Sequence, residues 1–172
     1  GRLALLPALA IGGAGGGGVD TGGGFVARAN LGLEYLLSPH LSIIMDGGYL
    51  TAPDGNFDTP YVGFNLANVM GAFAKDQKGT PLKETDLIQT TKWRFRPAHQ
   101  WYFDAQRKGG SSRGMQLMGG KIDWMGGDWW YLTGQGLSAY AGGAGGYSEG
   151  YWGAGVYGPS WKNWQLYGEM LI

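Results

Sequence analysis

Apolar and polar residues alternate along most of the chain, and the pattern is clearest between Gly22 and Tyr49. The odd positions of 25–37 are all apolar, whereas the even positions between them include Arg28, Asn30 and Glu34. Successive side chains on a β-strand point to opposite faces, so a period of two predicts a strand with one apolar face. A Ser-Pro-His break then predicts a turn, after which the alternation resumes. This segment therefore predicts a β-hairpin.

The rest of the chain repeats this pattern and predicts about nine strands. The first strand is expected over Arg2–Ile11, followed by a glycine-rich loop at 12–24. Pro97 is expected to interrupt a later strand that begins near Lys92, because proline cannot donate a ladder hydrogen bond. Helical periodicity is almost absent. The pattern predicts an all-β fold, an antiparallel β-barrel of about 8–10 strands, with a β-sandwich or part of a larger barrel as alternatives.

The domain organisation depends on one long polar stretch, Lys75–Thr91. We expect residues 1–172 to form a single barrel-type domain. The chain can also be divided into two hairpin groups, 1–74 and 92–172, joined by the polar loop 75–91. A glycine-rich match between 11–16 and 141–146 favours this division. The abrupt ends of the sequence suggest a processed chain or a window of a longer one.

The composition argues against several classes of function. Glycine is abundant, with 35 residues in 172, and Trp 8, Tyr 10 and Phe 6 make the chain rich in aromatics. The formal net charge is +0, so no basic excess indicates a nucleic-acid partner. Cysteine is absent, which excludes a disulfide scaffold and cysteine zinc sites. No spacing of acidic residues and histidines predicts a metal site, and no cofactor is expected.

Two architectures are compatible with strands that have one apolar face and one polar face. In a soluble barrel or sandwich this face packs inward, whereas in an outer-membrane barrel it meets lipid and the polar residues line the lumen. Several strands run about ten residues, the length that crosses a bilayer when tilted. The second architecture places these residues on the lumen or polar face: Arg28, Asn30, Glu34, Asp46, Lys92, Arg94 and Arg96. The basic row at 92, 94 and 96 would then favour anions.

Aromatic residues cluster near predicted strand ends, as in the interfacial girdles of membrane barrels. The predicted interfacial residues are Trp129, Trp130, Tyr131, Tyr151, Trp152, Trp161 and Trp164.

The segment 29–35 (Ala-Asn-Leu-Gly-Leu-Glu-Tyr), the turn and strand start that follow it, and 61–66 (Tyr-Val-Gly-Phe-Asn-Leu) resemble small bacterial outer-membrane barrels of the OmpA and OmpW type. The resemblance covers about a third of the chain. It implies a non-enzymatic barrel in the bacterial outer membrane. The chain departs from that pattern at its end, where Ile172 stands instead of an aromatic residue.

One pair of residues suggests chemistry. His40 lies two residues before Ser42, and with Asp54 or Asp58 as the acid this arrangement resembles outer-membrane lipid A deacylases. The same residues also suit an ordinary turn between two strands.

Taken together, the sequence predicts a passive pore or a structural membrane component with no enzymatic activity. A bilayer or detergent is the expected partner, and self-association is possible. The first alternative is a secreted or cell-surface protein, rich in glycine and aromatics, that acts by binding or self-assembly. The second alternative is a deacylase-like barrel hydrolase built on His40 and Ser42.

Overall fold

The computed structural model describes residues 2–38, 40–70, 93–126, 129–161 and 164–172. Their regular structure consists of nine β-strands, and none of these residues forms a helix long and apolar enough to cross a bilayer. The strands are β1 (Leu3–Gly15), β2 (Phe25–Ser38), β3 (Leu41–Thr51), β4 (Asp58–Met70), β5 (Trp93–Gln106), β6 (Ser112–Met125), β7 (Trp130–Ala141), β8 (Ser148–Trp161) and β9 (Trp164–Leu171).

The strands close into one barrel, in which each strand pairs with the next one along the chain. This confirms the predicted all-β barrel and its strand number. The eight pairs of consecutive strands are antiparallel, but the closing pair, β1 with β9, is parallel. The barrel is therefore antiparallel everywhere except at this seam. The reason is geometric, because in an up-and-down barrel with an odd number of strands the first and last strands run the same way.

The barrel has two distinct ends. The upper end carries the loops 16–24, 52–57, 107–111 and 142–147, and the opposite ends of the strands form the lower end. β9 ends before β1 does, and the last residues of β1 pair directly with β8, with Gly13 opposite Gly150 and Gly15 opposite Ser148. The upper end is thus closed by β1 and β8.

Two strands differ from the prediction in length. β1 continues through 12–15 instead of ending at Ile11. Gly12 suits this extension because a side chain there would overlap the ring of Tyr151. β5 is one strand that contains Pro97. Its pairing with β4 skips residues 96 and 97, whereas its pairing with β6 is continuous there, with Pro97 opposite Gly120. β5 therefore loses its regular pairing only on the side that faces β4.

The predicted loop 75–91 and Lys92 lie outside the described residues. The strands that flank them, β4 and β5, pair with each other from Met70 opposite Trp93 to Tyr61 opposite Tyr102.

Candidate functional site

The outer surface of the barrel is apolar. Along β2, the residues at odd positions from Phe25 to Leu37 face outward, whereas Val26 and Arg28 face inward. Met45 at the centre of β3 is 65% exposed, and Leu31, Phe64 and Leu132 are also exposed. A continuous apolar surface of this kind marks an interaction site, because monomers in water rarely expose one.

Aromatic side chains form two belts around this surface. The upper belt lies near the upper strand ends and contains Phe25, Tyr49, Trp101, Phe103 and Tyr140. The lower belt lies near the lower strand ends and contains Tyr35, Trp93, Trp124, Trp129 and Trp164.

The distance between the belts can be read from β5, where Trp93 belongs to the lower belt and Phe103 to the upper one. Ten residues of strand rise about 33 Å, or roughly 25 Å along the barrel axis at the usual tilt. This is the height of the apolar band in outer-membrane barrels. The surface is therefore consistent with a barrel of that type.

The interior contains charged side chains that are paired with one another. In the lower half, Nε of Arg94 and Nη2 of Arg96 each donate to Asp123 at 2.6 Å. Glu169 accepts a hydrogen bond from Arg96 at 2.6 Å and also one from Lys121. We name these five residues the lower ionic cluster. Its members come from β5, β6 and β9, so it ties the closing strand to the opposite wall.

A second group, which we name the upper ionic cluster, consists of Arg28, Asp46 and Glu149. Nη1 of Arg28 lies 3.3 Å from Oε1 of Glu149, and Nη2 of Arg28 lies 3.9 Å from Oδ2 of Asp46. The guanidinium also stacks on Tyr61, with Cζ 4.4 Å from the ring centroid. The hydroxyl of Tyr102 donates to Glu149 at 2.5 Å. A buried ion is tolerated only when its partners satisfy it, and this arrangement meets that condition.

Between the two clusters lies a small polar cavity of about 30 Å³, lined in part by Asp46, Arg96 and Glu169. Its volume accommodates one or two water molecules.

Aromatic layers close the interior above and below the ionic clusters. Near the upper end, the ring of Phe57 packs against Tyr102 and Tyr147 at centroid distances of 6.2 and 5.8 Å. Near the lower end, Tyr157 packs against Tyr131 at 5.1 Å and against Tyr167 at 5.4 Å. Side chains thus fill the interior at several levels between its two ends.

The upper loops are bonded to one another and form a cap over the barrel. The amide of Asp20 donates to the carbonyl of Gln106 at 2.9 Å, and its carboxylate accepts from Nδ2 of Asn56 at 2.8 Å. Arg107 donates to the carbonyls of Gly17 at 3.3 Å and Gly142 at 3.0 Å. These contacts join all four upper loops.

The surroundings of two titratable groups in the cap shift their pKa values. Partial burial, and then the nearby charge of Arg113, lower the pKa of Arg107. Burial, and then the charge of Glu149, raise the pKa of Tyr147. The Tyr147 hydroxyl consequently keeps its proton, and it donates a hydrogen bond to Oε2 of Glu149 at 2.8 Å.

The predicted polar-face residues lie on the inner side of the barrel where they are described. Arg28, Arg94 and Arg96 are buried in the two ionic clusters. Glu34 accepts hydrogen bonds from Ser42 and Tyr167, and Asp46 accepts one from Asn65 at 3.0 Å. Asn30 lines the small cavity, and Lys92 lies outside the described residues. The predicted free basic row is not found at Arg94 and Arg96, because Asp123 and Glu169 neutralise both.

The predicted interfacial aromatics divide into two groups. Trp129, Trp152 and Trp164 are exposed on the outside, and Trp130 packs edge-on against Trp124 at 5.9 Å. Tyr131 and Tyr151 instead lie in the interior, only 0% and 4% exposed. Their predicted position was wrong because each occupies the inward parity of its strand. There the hydroxyl of Tyr131 donates to Glu169 at 2.7 Å, and Cζ of Arg28 lies 5.4 Å from the ring centroid of Tyr151. Trp161 ends β8, and its side chain lies outside the described part.

The three residues of the predicted hydrolase site are not brought together. Ser42 faces inward near the lower end and donates to Glu34, whereas His40 lies in the turn before it. Asp54 lies in the loop 52–57 at the upper end. The length of β3 separates the acid from the other two residues.

Sequence reasoning missed the inner partners of the arginines, which are Asp123, Glu149 and Glu169. Each is a single acid between larger apolar or small residues on a strand, for example Ile122-Asp123-Trp124. The same alternation that placed Arg94 on the polar face also placed these acids there. The alternation therefore showed which face of the sheet these acids occupy, but it did not show which arginine each acid contacts.

The chain was compared with models of known protein families, with curated protein sequences and with solved structures, and none of these comparisons finds a match.

Proposed function

We propose that the protein is a non-enzymatic, membrane-embedded β-barrel of the outer-membrane type, and that it serves as a structural component of the membrane. The observation that supports this proposal is the polarity of the wall, which is apolar outside and ionic inside. A soluble barrel needs the reverse arrangement, because its apolar face must leave water.

The two aromatic belts support the same proposal. Trp and Tyr side chains have an apolar ring and a polar atom, and they favour the boundary between lipid tails and water. Trp93 and Phe103 place the two belts roughly one hydrocarbon thickness apart. The bilayer is therefore the proposed partner of this surface, and the bacterial outer membrane is the proposed location.

The filled interior favours a structural role over a passive pore. A pore needs a continuous aqueous path, whereas inside this barrel Arg28 is bonded to Glu149 and Arg96 is bonded to Glu169. The aromatic layers at Phe57 and Tyr157 lie above and below these ion pairs. An ion that crosses would have to separate buried charge pairs, which is costly in a low-dielectric interior.

The test is reconstitution of the refolded protein into vesicles of dioleoyl phosphatidylcholine. We expect the protein to float with the vesicles after a urea wash and to migrate differently on a gel before and after boiling. A protein that stays in solution without detergent and does not float would contradict membrane embedding.

Planar-bilayer recording separates a structural role from a pore. We expect no steady conductance from the inserted protein. Stable, unitary conductance steps would favour the passive pore instead, while leaving membrane embedding intact.

A further inference from the structure

The turn between β5 and β6 concentrates positive charge at the upper end of the barrel. Arg107 and Lys108 lie at its start, and Arg113 lies at the beginning of β6. We name these three residues the basic rim. None of them forms an ion pair with an acid in the part of the chain that the structure describes. Asp20, in the adjoining loop, is bonded to Asn56 instead, at 2.8 Å.

The side chain of Arg107 is held in place by the backbone of two other loops. Its Nη1 donates to the carbonyl of Gly17 at 3.3 Å, and its Nη2 donates to the carbonyl of Gly142 at 3.0 Å. A guanidinium carries several N–H donors in a fixed fork, and these two bonds leave other donors for a ligand. Because the side chain is already ordered, a ligand binds without the entropy cost of immobilising it.

Arg113 approaches the same loop as Arg107. Its Nη1 lies 3.7 Å from the position that a Cβ would take at Gly143, which follows the glycine that Arg107 contacts. The two guanidiniums therefore converge on one loop. Partial burial, and then the charge of Arg113, lower the pKa of Arg107, and the second effect is that of a like charge nearby. Two cations held together in this way attract an anion.

The space beside the basic rim is open to a ligand. An added Cβ at Gly18, Gly109 or Gly145 would have no heavy atom within 4 Å, and these glycines belong to the three loops that meet here. The side chains of Ser111 and Ser112 are exposed in the same turn and add uncharged hydroxyl donors. A ligand can therefore reach both guanidiniums from the solvent.

We propose that the basic rim binds a phosphate group, with the guanidiniums of Arg107 and Arg113 on its oxygens and Lys108 as a further cation. Planar guanidiniums form paired hydrogen bonds with phosphate oxygens. A phosphate monoester carries about −1.5 to −2 charges at pH 7. It thus matches two adjacent guanidiniums better than a singly charged carboxylate does. This site goes beyond the proposed structural role, and it does not depend on membrane embedding because it is built from loops.

Two sources can supply the phosphate. Phe103 of the upper aromatic belt lies on the same strand shortly before Arg107, so in an embedded barrel the basic rim lies on the headgroup side of the belt. A lipid phosphate is therefore one source. Inorganic phosphate in solution is the other, and the experiment has an arm for each.

The first arm measures how fast phenylglyoxal modifies individual arginines, because a bound phosphate shields a guanidinium from this reagent. The protein is refolded in dodecyl maltoside, which contains no phosphate, and modified residues are identified by mass spectrometry of chymotryptic peptides. We expect inorganic phosphate to slow the modification of Arg113 saturably, relative to sodium chloride of equal ionic strength. Arg2, exposed at the lower end, is the internal control and should react equally fast in both. Absence of protection at Arg113, or the same protection at Arg2, would overturn the site.

A variant tests whether the two guanidiniums act together. In Arg107→Gln, the phosphate concentration that half-protects Arg113 should rise about tenfold, because hydrogen bonds to a charged group are lost. Arg2→Gln removes the same charge at the opposite end and should leave this concentration unchanged. If Arg107→Gln lacks the heat-dependent gel shift of the folded barrel, the exposed Arg113 is replaced in Arg113→Gln, and protection of Arg107 should weaken by a similar factor. Unchanged protection in a folded variant would overturn the shared site.

The second arm repeats the reaction in vesicles and identifies the source. Protection of Arg113 in dioleoyl phosphatidylcholine vesicles that contain dioleoyl phosphatidic acid, relative to vesicles without it, would assign the site to a lipid headgroup. Protection only after inorganic phosphate is added would assign it to phosphate in solution. A protein that does not float with vesicles but is protected by phosphate in detergent would overturn membrane embedding and leave the phosphate site in place.

Discussion

Arg96 on β5 donates a hydrogen bond from Nη2 to Oε1 of Glu169 on β9 at 2.6 Å. These strands are not neighbours in the sheet, so the bond crosses the barrel interior. Glu169 also accepts hydrogen bonds from Lys121 and from Tyr131. The closing strand is therefore held both by its ladder with β1 and by a carboxylate that three side chains share.

Removing this carboxylate should destabilise the barrel strongly. Glu169→Ala leaves Arg96 and Lys121 buried without one of their acids, and breaking a buried pair costs about 3–5 kcal/mol. The measurement is urea-induced unfolding of the vesicle-inserted protein, followed by tryptophan fluorescence. Asp104→Ala removes an exposed acid from the same barrel and should leave the midpoint unchanged. Equal midpoints for the two variants would contradict the role assigned to Glu169.

The pair Arg28 and Glu149 allows a double-mutant test. Each single change, Arg28→Met or Glu149→Gln, should destabilise the protein because it leaves the other group without its partner. The double variant should cost less than the sum of the single variants, with a coupling of about 1–3 kcal/mol. Unfolding free energies of the four proteins give this coupling. Simple additivity would show that the two groups do not interact across the lumen.

The cap depends on Gly22. Its φ is +58°, and a side chain there would overlap the carbonyl of Asp54 in the neighbouring loop. Gly22→Ala should loosen the cap and speed tryptic cleavage after Arg107 and Lys108. Gly18→Ala is the matched control, because Gly18 has φ +70° but open space around an added Cβ.

Both alanines carry the backbone penalty of about 1–2 kcal/mol, so only the clash with the neighbouring loop distinguishes them. Cleavage that is equally fast in both variants would mean that the contact between the loops does not hold the cap.

A charge on the outer surface tests membrane embedding directly. Met45 lies at the centre of β3 and is 65% exposed. Met45→Arg should destabilise the vesicle-inserted protein by about 2–4 kcal/mol, because an arginine at this depth must leave water. Ser112→Arg, at the upper end of β6, is the control and should cost about 0–1 kcal/mol. If Met45→Arg is as well tolerated as Ser112→Arg, the surface does not face lipid.

The arginines of β5 show what alternation predicts and what it leaves open. Alternation predicted that Arg94 and Arg96 share a face with other polar residues, and both do lie inside the barrel. It also suggested a free basic row. The acids that neutralise this row come from β6 and β9, and alternation along one strand contains no information about which residues lie opposite it.

The sequence by itself determined the local properties of this protein. A period of two from Phe25 to Leu37, turns at prolines and glycines, and the strand number follow from side-chain geometry along a single strand. For the same reason it showed that one face is apolar and the other polar.

Only the tertiary structure decided the properties that depend on closure. It set the parallel seam of β1 and β9, the inward position of Tyr131 and Tyr151, and the separation of Asp54 from Ser42. It also joined Arg28 to Glu149 across 121 positions of sequence. Alternation assigns a residue to a face, whereas the partner on that face depends on strand register and on how the sheet closes, and these arise from all strands at once.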